Sequence, residues 1–102
     1  MSDDRSLDRK TAVPAIVGDP KDLLIVCGLA GASKDMAHLT NDGDNIFTMA
    51  GAMGGATAMG LGLALSRPDK KVLVVTGDGE LLMNVGTLAT VGILKPANLS
   101  IL

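Results

Sequence analysis

Aromatic side chains are all but missing from this chain: Phe47 stands alone, with no Trp and no Tyr. The core must therefore be filled by Leu, Val, Ile, Ala and six Met, and a chain so short of large rings reads as part of a larger unit. A single cysteine, Cys27, excludes an internal disulfide framework and fits a reducing, cytoplasmic setting. Positive charge is not in excess either: the net charge of −2 leaves no basic footprint for nucleic acid. The polar, mixed-charge opening from Met1 to Lys10 lacks the apolar stretch of a signal peptide. What is present, 47% hydrophobic and 20% charged residues over 102 positions, is the composition of one folded domain and not of a disordered chain.

Residues 1–20 read as a lead-in, with Ser2 to Lys10 solvated and a short helix from about Asp8 that Pro14 would end or kink. Gly18-Asp19-Pro20 is a turn signal. Leu23 to Cys27 is apolar without alternation, as in a strand buried on both faces of a parallel sheet. A small-residue loop follows, Gly28 to Ser33, with Ser33 placed to cap a short helix through Leu39 that carries Asp35 in its first turn. Asn41 to Asn45 is turn chemistry, and Ile46 to Met49 a second short strand. A helix over roughly Met53 to Ser66 ends at Arg67-Pro68. Its glycines 54, 55, 60 and 62 each cost about 1 kcal/mol against alanine, so close backbone packing must compensate. A third strand spans Val72 to Thr76, and a further helix puts Leu81, Val85, Leu88 and Gly92 on one stripe. Lys95 to Asn98 breaks that helix before a fourth strand opens at Leu99. Alternating strands and helices imply a parallel α/β sheet with right-handed crossovers.

The stretch Lys70 to Asn84 organises the rest. Its β-branched run stops at Gly77-Asp78-Gly79, and a helical pattern begins at Glu80. Flanking glycines permit close ligand approach, and a lone carboxylate at a strand's carboxyl end suits Mg²⁺, which completes its octahedron with phosphate oxygens. The plainer alternative is that Asp78 caps the following helix. In parallel sheets ligands sit at the carboxyl ends of strands, so the Gly28 to Ser33 loop and the Gly77 to Gly79 turn are placed to line one crevice.

Several other function classes find little support. Ile46 to Leu65 is 20 residues without a charge, long enough to span a bilayer, and carries a Gly51…Gly55 spacing. Yet five of the 20 are Gly and only five are Ile, Leu or Phe, weakly apolar for a span. A dinucleotide-binding fingerprint needs a third glycine, but Glu80-Leu81-Leu82 follows the turn. No G-K-S or G-K-T is present for a P-loop. His38 reads as a surface histidine, with substrate contact the alternative; Cys27 reads as a buried small hydrophobe, and Met36, Met49, Met59 and Met83 as core filling.

Met53, inside Gly51-Ala52-Met53-Gly54-Gly55-Ala56, lies 25 residues upstream of Asp78. The G-A-M-G turn, the small-residue helix, the R-P-D-K-K connection and the V-L-V-V-T-G-D-G strand closely resemble the diphosphate-binding domain of thiamine-diphosphate-dependent enzymes. Within that family, Leu82-Met83-Asn84, Gly86 to Thr90 and Pro96-Ala97-Asn98-Leu99 look most like the small-subunit decarboxylases of the sulfopyruvate and phosphonopyruvate type. The resemblance runs from Leu23 to Leu102. It implies a three-layer fold, a parallel sheet with helices on both faces, of which residues 21–102 form the first part and the remainder lies beyond Leu102.

What the resemblance implies for individual residues follows from its motifs. Asp78 would be the side-chain ligand of Mg²⁺, and Gly77, Gly79 and Glu80 would supply backbone near the phosphates. Met53 matches the bulky apolar residue that holds thiamine diphosphate bent, and the Gly51 carbonyl would accept from the cofactor's aminopyrimidine. Ser33, a looser match, would touch the diphosphate. Glu80 departs from the family's usual small residue, and its carboxylate is expected to point away from the diphosphate and favour the helix dipole. The second metal ligand, an Asn, is expected just past Leu102. The catalytic glutamate would come from a pyrimidine-binding domain or subunit, so no catalytic residue is assigned here and the site forms in a homo- or hetero-oligomer. The implied activity is decarboxylation of a small 2-oxo acid with an anionic tail. The alternatives are a non-catalytic remnant or scaffold with this fold, and an enzyme of the acetolactate synthase type.

Overall fold

In the computed structural model of the chain, residues 8–29, 31–41, 43–49 and 51–102 are described. Residues 2–7 of the lead-in, Ala30 of the small-residue loop and Asp42 of the 41–45 turn lie outside them.

Four parallel strands form one sheet in the order β2-β1-β3-β4, with β1 at Leu23–Cys27, β2 at Ile46–Thr48, β3 at Lys71–Val75 and β4 at Leu99–Ile101. The register sets Ile25 against Ile46 and Leu73, and Val74 against Val26 and Ile101. Because side chains alternate along a strand, the two central strands feed two cores. Ile25, Cys27 and Val75 face helices α1 (Arg9–Val17) and α2 (Gly31–Thr40), packing with Val13 and Met36. Val26 and Val74 face α3 (Ala56–Ser66), packing with Ala56. The expected three layers, helices on both faces of a parallel sheet, are therefore present.

Asp8 to Lys10 are exposed as read, and the short helix expected from about Asp8 is present from Arg9 onward. Asp8 caps it, accepting from the Lys10 amide at 3.1 Å, and Pro14 lies inside it without ending it. Gly18, at φ +70°, terminates the helix by donating to the Pro14 carbonyl at 2.9 Å. An ion pair of 2.6 Å from Arg9 to Asp35 ties α1 to α2. Helix α2 starts earlier than expected, so Ser33 sits within it and not at its cap.

Helix α3 begins at Ala56, three residues later than the sequence suggested, because Gly54 adopts φ +85°, a left-handed conformation no α-helix continues through. Close packing does compensate for one glycine of this helix. At Gly60 a methyl group would collide with Cγ2 of Val74, whereas nothing lies near Gly62. The helix after the G-D-G turn is divided into α4 (Asp78–Leu82) and α5 (Thr87–Leu94). Its expected apolar stripe is not buried: Val85 and Leu88 are exposed, and every residue of α5 keeps contact with solvent. Met36 and Met49 fill core, as read, but Met59 and Met83 are exposed. His38 is exposed on α2, and Cys27 is buried. Among the described residues no helix is long and apolar enough to cross a membrane.

Candidate active-site crevice

The site is assembled at the carboxyl ends of β1 and β3, where chain polarity brings two loops side by side. Past β3, Thr76 and Gly77 lead into α4, for which Gly77 is the extended N-cap residue. Asp78 follows with its side chain exposed, its Oδ1 accepting from the Gly79 amide at 2.8 Å. Above Gly79 the space is open. Past β1, Leu29 projects from the adjoining loop, half exposed. These residues and Met53 line a crevice of about 310 Å³, bounded by Leu29, Met53, Gly77, Asp78, Gly79 and Glu80.

Met53 reaches the crevice through a turn of its own. The Gly55 amide donates to the Ala52 carbonyl at 3.0 Å, and the left-handed Gly54 lies against Asn84. The Asn84 side-chain amide donates to the Gly54 carbonyl at 3.2 Å, fastening that turn to the end of α4. The result is an apolar wall, Met53 and Leu29, opposite an exposed carboxylate.

Glu80 turns inward. Only 8% of it is exposed. Its Oε1 accepts from the Gly77 amide at 3.1 Å and the Thr76 hydroxyl at 3.0 Å, and its Oε2 from the Leu29 amide at 2.7 Å. The bond to Gly77 is one half of a capping box, in which a glutamate in the third helical position reaches back to the N-cap amide. That spacing was visible in the sequence; the bond across to Leu29 was not. Beneath it, burial and then the Glu80 charge push the Cys27 thiol up to about 11.

Of the residues singled out from the sequence, Met53, Gly77, Asp78, Gly79 and Glu80 come together on this crevice. Gly51 does not line it, and the buried Ser33 hydroxyl donates to the Gly28 carbonyl. Leu29, Thr76 and Asn84 were not singled out for the site. A larger hollow of about 440 Å³ runs beside α1 along β3 and β4, walled by Ile16, Val17, Leu73 and Leu102, with Lys71 the one charged residue among the described ones that line it. It gathers no convergent polar chemistry.

Among the described residues no three His, Cys, Asp or Glu side chains cluster as a metal cage. A single exposed carboxylate beside open space suits a phosphate-bound Mg²⁺ nonetheless, because that ion takes only one or two protein carboxylates and fills its octahedron with phosphate and water.

The family described as thiamine pyrophosphate enzyme, C-terminal TPP binding domain, matches residues 28–100. The chain belongs to this family. Its members bind thiamine pyrophosphate, the same molecule as thiamine diphosphate, and the match takes in the loop after β1, the Met53 turn and the whole G-D-G junction. Over 95 residues the chain is 41% identical to sulfopyruvate decarboxylase subunit beta of Methanothermobacter thermautotrophicus, covering 93% of this chain and 50% of that protein. It is 42% identical over 99 residues to phosphonopyruvate decarboxylase of Streptomyces viridochromogenes, covering 93% of this chain and 24% of that protein. A shorter similarity, 48% over 40 residues, covers 39% of the chain and 7% of acetolactate synthase isozyme 1 large subunit from Escherichia coli. The chain thus spans about half the length of the sulfopyruvate relative and about a quarter of the phosphonopyruvate one.

Proposed function

We propose that this chain is the metal- and diphosphate-binding part of a thiamine-diphosphate-dependent decarboxylase whose substrate is a small 2-oxo acid with an anionic tail. The observation that carries the proposal is the meeting of Met53 and Asp78 on one crevice, since the two belong to motifs that only the fold brings together. The similarity to decarboxylases of sulfopyruvate and phosphonopyruvate supports this substrate class. The acetolactate synthase type is the weaker reading, because that similarity covers only 39% of the chain.

In this proposal Asp78 holds Mg²⁺, and Met53 and Leu29 form the apolar wall against which the cofactor rests. The Gly51 carbonyl and Ser33 keep the roles that the family resemblance implies. Thiamine diphosphate, when bound, supplies the carbanion-stabilising centre for loss of carbon dioxide. The chain's own contribution is to bind the metal, orient the cofactor and keep one side of it dry.

The catalytic glutamate belongs, in the same proposal, to a pyrimidine-binding domain or subunit. Leu82, Met83, Val85, Ile93 and Leu94, in and between α4 and α5, are exposed, and an apolar surface of this kind marks a protein contact. The beta-subunit name of the sulfopyruvate relative is in keeping with such a partner. In this proposal residues 21–102 form the first part of the diphosphate-binding domain, and the free, buried Cys27 is in keeping with a reducing, cytoplasmic setting.

Calorimetric titration of the protein assembled with its pyrimidine-domain partner tests the reading. Saturable binding of thiamine diphosphate that requires Mg²⁺ is expected. Absence of any binding by the assembled complex would overturn it.

A further inference from the structure

We propose that Glu80 is a positioning residue for the crevice, its carboxylate clamping the turn that carries Asp78 to the loop after β1 so that Asp78 and Leu29 are held across a fixed gap. The inference rests on the proposed cofactor site for its functional meaning, but the clamp itself is a feature of the chain alone.

A carboxylate is costly to remove from water unless its oxygens are satisfied. Glu80 is nearly buried, and among the described residues its oxygens collect at least three donors from two segments far apart in sequence. The Thr76 hydroxyl and Gly77 amide belong to the G-D-G turn, whereas the Leu29 amide stands 51 residues from Glu80. Hydrogen bonds to an ionised acceptor are about twice as strong as neutral ones, so this one side chain is a strong polar link between the two sides of the crevice.

Space for the clamp is made by Gly28. A methyl group at that position would run into the Glu80 carboxylate. Glutamine cannot replace the carboxylate without loss, because it has one carbonyl oxygen and an NH₂ that only donates. The Thr76 hydroxyl can rotate to accept, but the Leu29 and Gly77 amides cannot. One of those two backbone amides is left without an acceptor whichever way the glutamine turns.

The same arrangement explains how a second carboxylate is tolerated beside a diphosphate site. Its oxygens accept from backbone and hydroxyl donors, and of the two carboxylates that line the crevice Asp78 is the exposed one.

The test combines amide hydrogen exchange on the unliganded protein with calorimetric titration of the assembled protein using thiamine diphosphate and Mg²⁺. Three variants are compared: Glu80→Gln, Gly28→Ala, which keeps the charge but displaces it, and Thr76→Val, which removes one neutral donor. Glu80→Gln and Gly28→Ala should speed exchange at the Leu29 and Gly77 amides while leaving Ile25 and Val74 protected. Each should weaken Mg²⁺-dependent cofactor binding by about 10- to 100-fold, the usual effect of an outer-sphere partner of a metal site. Thr76→Val should weaken it by no more than about fivefold, the worth of one ordinary hydrogen bond.

Unchanged exchange at Leu29 and Gly77 in both substitutions overturns the clamp. Faster exchange with equal or tighter cofactor binding overturns its positioning role, and tighter binding would mean that the carboxylate competes with the diphosphate. If Glu80→Gln does not fold, Gly28→Ala decides by the same two readings. If the unsubstituted protein binds no cofactor, the proposed function falls, while the exchange measurements still decide the clamp.

Discussion

The Asn84 side-chain amide donates to the Gly54 carbonyl across 3.2 Å, joining the turn that presents Met53 to the end of the helix that begins at Asp78. Two motifs that are separate in sequence are one structural unit at this bond. Asn84→Ala should therefore cost about 1 kcal/mol of stability, the net worth of one such hydrogen bond. A drop of several degrees in the thermal midpoint is expected. Cofactor affinity should fall as well, because the Met53 turn loses its tether.

The glycines of α3 make opposite predictions. At Gly60 an added methyl meets Val74, so Gly60→Ala should destabilise by about 1–3 kcal/mol through overpacking. Nothing lies near Gly62, so Gly62→Ala should stabilise by up to about 1 kcal/mol through helix propensity. Urea denaturation of both variants checks the pair. Val74→Ala in the Gly60→Ala background should recover part of the loss, a coupling expected of residues in contact.

How much of this was legible in the sequence depended on which physical signal carried it. Leu23 to Cys27 was readable to the residue, because a strand buried on both faces is an unbroken apolar run. The G-D-G junction was readable because glycine and a strand end punctuate the chain. The helix beyond it was misread as one continuous apolar stripe. Thr87–Leu94 is apolar on every side, so periodicity cannot select a face for it, and the turn at Asn84 depends on a partner 30 residues away. Helix α3 was begun too early because Gly54 reveals its positive φ only in the fold. The inward turn of Glu80 was half legible: its spacing from Gly77 is local, but its bond to Leu29 depends on β1 lying beside β3.

The Cys27 thiol offers a pH test. It is pushed from 9.0 up to about 11, first by burial and then by the Glu80 charge. The folded chain thus holds this proton more tightly than the unfolded chain. The stabilisation is fully present below pH 9 and is lost as the pH rises towards about 11, with an amplitude on the order of 2 kcal/mol. Stability measured by urea unfolding across that window should fall more for the unsubstituted protein than for Cys27→Ala. In Glu80→Gln the thiolate ultraviolet band should emerge at lower pH.

The central claim is that Asp78 anchors a divalent metal for thiamine diphosphate, and substitution at that position tests it most directly. Because Asp78 is exposed and, among the described residues, its side chain accepts only from the neighbouring Gly79 amide, Asp78→Ala should leave the fold intact. Calorimetric titration of the assembled protein with thiamine diphosphate, with and without Mg²⁺, should show saturable metal-dependent binding before the substitution. After it, affinity should fall by at least about 100-fold, the upper end of what outer-sphere residues alone contribute. Equal Mg²⁺-dependent affinity in the Asp78→Ala protein would contradict the account.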